Sequence, residues 1–281
     1  MIDLEILRHI HTYRLTTSEI VANLFRLPLD DSNRILESLR AKGLVGSADL
    51  NGSDPYFFLQ HKAAQVLRVE KVDAGPINGT AKVQAYASAC FCCGGKRFRP
   101  LMDARVFRTS FPELYRPGAK INYYTEGAKL GLIRVDTREN TNGDVFRLIE
   151  RAGRDVIRRT NPFKNKKERK QESLPEFRDL VKRGQFVVTV LTALEQKAER
   201  IRFELDQMQD RNRLYHLHRN TSRNNTKARS REEAEAAKMV FEQWHKNDRG
   251  GRRRRAPAYP PPLEIEVVPG LLDVMFPKPP Q

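Results

Sequence analysis

Along the first sixty residues the apolar positions recur at helical spacing and then give way to a strand-like run. Leu4, Leu7 and Ile10 suit one face of a first helix. Ile20, Val21, Leu24 and Phe25 mark a second, with Thr16 and Glu19 spaced as a capping box at its start. In the stretch DDSNRILESLRAKGLV, residues 30–45, Ile35, Leu36 and Leu39 share a face of a third helix. Asp30 or Asp31 is its candidate cap, and Gly43 ends it in a left-handed turn. Leu44 with Val45, and residues 56–59, then read as two strands around a turn over 46–55. Three helices and a hairpin in this order predict a winged helix-turn-helix over residues 1–70, with the polar face of the third helix available to a groove.

Further along, residues 80–93 predict a helix ending at Gly94 and Gly95. Residues 121–124 and 130–135 predict strands joined at Glu126 and Gly127, and residues 144–159 and 174–183 predict helices. QFVVTVL, residues 185–191, is a β-branched run of the kind covered on both faces of a sheet, and a long helix begins near Thr192. These elements indicate a small α/β domain over 80–207. In the long helix Leu194, Ala198, Ile201, Leu205, Met208, Asn212 and Tyr215 form a heptad seam. A partner stripe, Ala234, Ala237, Val240, Phe241 and Trp244, follows a second capping box at Ser230 and Glu233. The seam therefore suits an antiparallel hairpin within the chain, the alternative being a homodimer through the 194–215 helix. The fold class expected is α+β: a winged helix, the α/β domain, a charged helical extension over 208–250, and a basic, Pro-rich tail over 251–281. That tail should be mostly extended, with LEIEVV as a short strand or a peptide for a partner.

Charge changes the picture. The chain of 281 residues carries a net +16, which favours a polyanionic partner. Residues 1–68 are formally neutral, with 8 basic and 8 acidic groups, whereas residues 69–150 carry +4 and residues 151–281 carry +12. The hairpin tip over 46–55 contains Asp49 and Asp54 and no basic residue. Phosphate contacts supply much of the affinity for DNA, so a neutral winged helix borrows basic charge from elsewhere or binds protein. Two clusters offer that charge: residues 151–170, with nine basic and two acidic groups, and the run Arg252 to Arg255. The candidate contacts to double-stranded DNA are Asn33, Arg34, Ser38, Arg40 and Lys42 on the third helix, and Lys164, Lys166, Lys167, Arg252 and Arg253 outside it.

Other chemistry is thinly signalled. Cys90, Cys92 and Cys93 lie within four positions, without the two spaced pairs of a zinc site, and read as small apolar residues on a buried helix. His9/His11 and His216/His218 are spaced i, i+2, which turns their rings to different helix faces. No GxxxxGK[ST], GxSxG or HExxH motif occurs. No catalytic residue, metal ligand, cofactor or small-molecule substrate is assigned. No run approaches the ~18 apolar residues of a membrane span, and no signal-peptide pattern opens the chain, so a cytoplasmic location is expected.

The segments LRAKGLV, YFFLQHKAAQVL, ACFCCGG, LGLIRVDT and FVVTVLTALEQKAERIRFEL together resemble the replication-relaxation family of plasmid and mobile-element proteins, over roughly residues 1–207. The resemblance implies DNA association in replication, mobilisation or transcriptional control, and a second domain similar in outline to PD-(D/E)XK nucleases. That chemistry needs carboxylates converging on a divalent metal, with a Lys two positions after one of them. With Asp136 as the acid, the Lys position holds Arg138 and Glu126 is the other candidate ligand. Aligned two residues earlier, Arg134 replaces the acid. Arginine does not substitute for a compact lysine donor, so these residues read as strand-end charges and the domain as degenerate.

Overall fold

The computed structural model describes residues 2–95, 97–112, 114–115, 122–137, 175–224, 230–246 and 263–277. The helix expected over 144–159 lies outside the described residues. At the N-terminus come α1 (Ile2–Tyr13), α2 (Ser18–Phe25), α3 (Leu29–Ala41), β1 (Val45–Asp49), β2 (Pro55–Leu59) and α4 (His61–Leu67). Their apolar faces meet in a core built from Ile6, Leu7, Ile10, Val21, Leu36, Leu39, Val45, Phe57, Leu59 and Ala63. The two strands pair antiparallel from Val45 opposite Leu59 to Asp49 opposite Pro55, which shortens the expected turn to residues 50–54.

Two helix starts differ from the sequence expectation. Thr16 exchanges both backbone hydrogen bonds with Phe57, at 3.0 and 2.8 Å, and so joins the hairpin as a third strand position. Its place as cap passes to Thr17, whose hydroxyl accepts from Ile20 N at 3.3 Å. At α3 the cap position is Pro28, whose hydrocarbon ring has no oxygen to cap the helix. Asp30 and Asp31 instead occupy the first turn, where the helix dipole favours negative charge.

The second sheet has the order β3 (Tyr123–Glu126), β4 (Lys129–Val135), β5 (Phe186–Thr192), β6 (Leu263–Val267). β3 and β4 form an antiparallel hairpin, while β4, β5 and β6 run parallel. All seven residues of β5 are buried, as a central strand covered on both faces requires. One face packs on α5 (Gly79–Cys93) through Ile133, Val187 and Leu191. On the other, Phe107 of α6 (Ala104–Ser110) and Phe177 of α7 (Pro175–Lys182) join Leu130, Leu132, Phe186 and Val188.

The long helix α8 (Glu195–Asn224) buries its heptad seam in two ways. Ile201 packs on Val190, Leu263 and Ile265 of the sheet, whereas Tyr215 stacks on Phe241 of α9 (Arg231–Lys246), centroids 5.3 Å apart. Arg213 reaches Glu233 at 2.6 Å and Ser230 Oγ accepts from Glu233 N, so the hairpin forms within one chain. Leu194 precedes the helix and stays exposed. Of the two readings of LEIEVV the short strand is the one found, and the expectation of an extended tail is corrected for residues 271–275. LEIEV is the fourth strand, and Leu271 and Val274 of α10 (Leu271–Met275) are buried beside α5, because the sheet and α5 still have apolar surface to cover. Among the described residues β6 is an edge strand, and Arg202 of α8 caps its Ile265 carbonyl at 2.9 Å.

α5 belongs to both halves. Its small and apolar residues Val83, Ala85, Ala87, Ala89, Phe91, Cys92 and Cys93 share one cluster with Tyr13, Leu15, Ile20, Leu50, Tyr56 and Phe58 and with the sheet. Within it Tyr124 on β3 lies across Gly131 of β4, and its hydroxyl meets Thr189 Oγ1 of β5 at 2.7 Å. A Cβ on Gly131 would stand 2.0 Å from the Tyr124 ring. Gly131→Ala should therefore cost about 3 kcal/mol or more, read as a fall in the urea midpoint, against about 1 kcal/mol for Tyr124→Phe.

His9 is buried, with Nε2 3.0 Å from Thr16 Oγ1. Burial lowers its pKa from 6.5 to about 4. Between those values the unfolded chain takes up the proton and the folded one does not, so stability present above pH 6.5 is lost as the pH falls toward 4. The loss should reach about 3 kcal/mol, at about 1.4 per pKa unit, and His9→Gln should flatten that limb of a stability-against-pH curve.

Candidate nucleic-acid interface

α3 separates its two faces cleanly. Ser32, Leu36 and Leu39 are buried and Ile35 partly so, while Asp30, Asn33, Arg34, Glu37, Ser38, Arg40 and Ala41 are exposed. Ser32 was not legible as a core position; its hydroxyl is satisfied by the Pro28 carbonyl at 3.3 Å. The expected contacts Asn33, Arg34, Ser38 and Arg40 thus lie together on one solvent face. Lys42 sits apart, at the C-cap of the helix.

Each cation of this surface has a carboxylate within the chain. Arg34 pairs with Asp31, Arg40 with Glu37 at 2.8 Å, and Lys42 with Asp3 of α1 at 3.1 Å. Two of these follow from i, i+3 spacing, while the third depends on how α1 crosses α3. Residues 30–41 hold three acidic and two basic groups, so the face itself does not attract a polyanion. Exposed pairs of this kind contribute roughly 0–1 kcal/mol, so an incoming phosphate exchanges with the carboxylate at little cost.

The hairpin tip repeats the theme. Asp49 Oδ1 accepts from Gly52 N at 2.7 Å, and Asn51 Oδ1 accepts from Ser53 N and Asp54 N. Lys82 of α5 donates to the Leu50 carbonyl at 2.7 Å. The tip is thereby ordered and acidic. Lys164, Lys166, Lys167, Arg252 and Arg253 lie outside the described residues.

The carboxylates considered for a metal do not meet. Glu126, at the end of β3, pairs with Arg97 at 3.4 Å and Arg99 at 3.5 Å. Asp136 follows the far end of β4, roughly 20 Å away at about 3.3 Å per residue, and is buried against Lys197 in the first turn of α8. Among the described residues no group of three His, Cys, Asp or Glu side chains is placed to hold a metal ion. His9 and His11 diverge, the first toward Thr16 and the second toward Asp73 at 3.3 Å, and His218 packs on Phe241. Burial pushes the thiols up, Cys90 to about 12 and Cys93 to about 11, with Cys92 raised further, which leaves them inert apolar groups on α5.

The Asp136–Lys197 pair was missed because its members are distant in sequence. Asp136 lies beside Thr192, which is fully buried, under the first turn of α8. Removing the ammonium takes its ion pair from a buried carboxylate, so Lys197→Ala should lower stability by about 3 kcal/mol. Adding Asp136→Asn to that variant should restore part of the loss, a non-additivity that chemical denaturation of the two single variants and the double variant reads directly. No family model, curated protein or solved structure matches this chain.

Proposed function

We propose that this chain is a DNA-binding protein of the replication-relaxation type, acting in plasmid or mobile-element replication, mobilisation or transcriptional control. In this reading its N-terminal unit is a winged helix-turn-helix. The observation that carries the reading is α3 itself, a helix with a buried apolar face and a continuous exposed polar face, followed directly by a two-stranded hairpin. The net charge of +16 adds support, because the excess lies outside the neutral N-terminal unit. The division of labour is then clear. Asn33, Arg34, Ser38 and Arg40 touch the groove and set orientation, while the basic segments hold the backbone.

A second reading, a winged-helix scaffold for a protein partner, is favoured by one feature: the acidic excess of the α3 face and the acidic hairpin tip. A metal-dependent nuclease has no such support, since Glu126 and Asp136 stand at opposite ends of β4.

Titration of the full-length chain with plasmid-derived and random duplexes across a salt series separates these readings. Arg34→Ala should weaken binding to the preferred sequence by about 1–3 kcal/mol and random duplex much less. Replacing Lys164, Lys166 and Lys167 together should weaken both and reduce the salt slope by about one per lost contact. Equal effects of Arg34→Ala on both duplexes would remove groove reading, and no duplex binding at any salt would favour the protein scaffold.

A further inference from the structure

A second surface has the composition that the α3 face lacks. Residues 94–108, GGKRFRPLMDARVFR, hold five basic groups and one acidic group. The one carboxylate, Asp103, is engaged as the cap of α6, accepting from Arg105 N at 2.7 Å and Val106 N at 3.3 Å. At the centre of the basic run stands Phe98, 58% exposed, next to Arg97, whose side chain is 77% exposed.

This exposure is imposed by the residues around it. The Arg99 backbone N donates to the Cys92 carbonyl at 2.9 Å. Its guanidinium donates to the Phe91 carbonyl at 3.3 Å and lies 4.5 Å from the centre of the Phe91 ring. The same group pairs with Glu126 and with Glu266 at 3.9 Å. Next, Pro100 O accepts from Thr125 N, Leu101 bridges Tyr124, and Met102 N donates to Tyr123 O at 2.8 Å. The segment is thus fixed along the outer edge of β3. Arg99 is anchored inward, whereas the Phe98 side chain beside it is exposed. Beyond the segment α6 buries Phe107 and exposes Arg105 and Arg108, three positions apart on one helix face.

We propose that this edge, with Phe98 at its centre and Arg97, Arg105 and Arg108 along it, binds a single-stranded nucleic acid. The Phe98 ring stacks on an unpaired base and the guanidinium groups follow the phosphates. A ring held outward offers a π-face to any base, and a duplex, whose bases are already stacked, has no free face to receive it. The inference deepens the DNA-binding reading but rests on different residues, so either stands without the other.

The test uses the full-length chain with fluorescent oligo(dT) and oligo(rU) of about twenty nucleotides, and a duplex of equal length, read by anisotropy. Phe98→Ala should weaken binding of oligo(dT) or oligo(rU) about tenfold or more, while duplex affinity changes less than about twofold. Phe98→Leu, which keeps apolar area but no π-face, should lose as much, and Phe98→Trp should keep or improve binding. The two oligonucleotides together decide whether the natural strand is DNA or RNA. Arg105→Ala with Arg108→Ala should lower the salt slope for single strands. Absence of single-strand binding by the unmodified chain, single-strand binding unchanged in Phe98→Ala, or equal losses on duplex would overturn the proposal. Phe98-dependent single-strand binding without any duplex binding would overturn the groove-reading role of α3 and leave this surface standing.

Discussion

The constraint on which the rest of the structure depends is that α5 must be buried on more than one side at once. A helix flanked by a single neighbour keeps a polar stripe, but residues 83–93 of α5 are almost wholly small or apolar. The alanines at 85, 87 and 89 let neighbouring backbones approach closely. The cluster joins them to Tyr13, Leu15 and Ile20 of the N-terminal unit, to Ile133, Val187 and Leu191 of the sheet, and to Leu271 and Val274 of α10. Cutting the chain near residue 70 would open this cluster, so the N-terminal unit carries an apolar face that α5 covers. The same packing explains Gly131. The ring of Tyr124 can reach Thr189 and meet Phe91 edge-on, 5.0 Å between centres, only because β4 has no side chain where the ring passes.

Charge follows a different logic from packing. On α3 each cation is matched by a nearby anion, and the exposed pairs are weak enough to be exchanged. Such a face discriminates more than it attracts, because wrong contacts leave carboxylates facing phosphates. Arg14, Arg26 and Arg68 add a related feature. All three occupy left-handed backbone just after α1, α2 and α4, where glycine is the less strained choice, and their charge complements the C-terminal ends of those helices.

Elements governed by local periodicity were legible in the sequence. The three N-terminal helices, α5 ending at Gly94, the β3–β4 hairpin, buried β5 and the α8–α9 hairpin all carry their pattern within about a dozen residues. What escaped depends on partners far along the chain. Thr16 reads as a cap until Phe57 claims its backbone, and LEIEVV reads equally as a short strand or as a peptide for a partner until β5, some seventy residues earlier, offers a parallel edge. Of the candidate interface, the exposed set Asn33, Arg34, Ser38 and Arg40 was readable from helical phase. The neutralisation of Lys42 by Asp3 was not, since it arises from a helix crossing. Phe98 was overlooked because nothing in its local spacing marks it, and its exposure is visible only beside the anchored Arg99.

These observations tie the two surfaces together. α5 packs at its flank on Tyr13 and Ile20 of the helices that carry α3, and at its C-terminus runs through Gly94 and Gly95 into Arg97 and Phe98. Arg99 is pinned to the last turn of α5 and residues 100–102 to β3. A nucleic acid that engaged both surfaces would meet them joined through α5. A straight duplex has no reason to satisfy the aromatic end, whereas a duplex opened beside its recognised sequence would offer paired bases to α3 and an unstacked strand to Phe98. Under the proposed function, the connection through α5 would then couple sequence recognition to a preference for melted DNA.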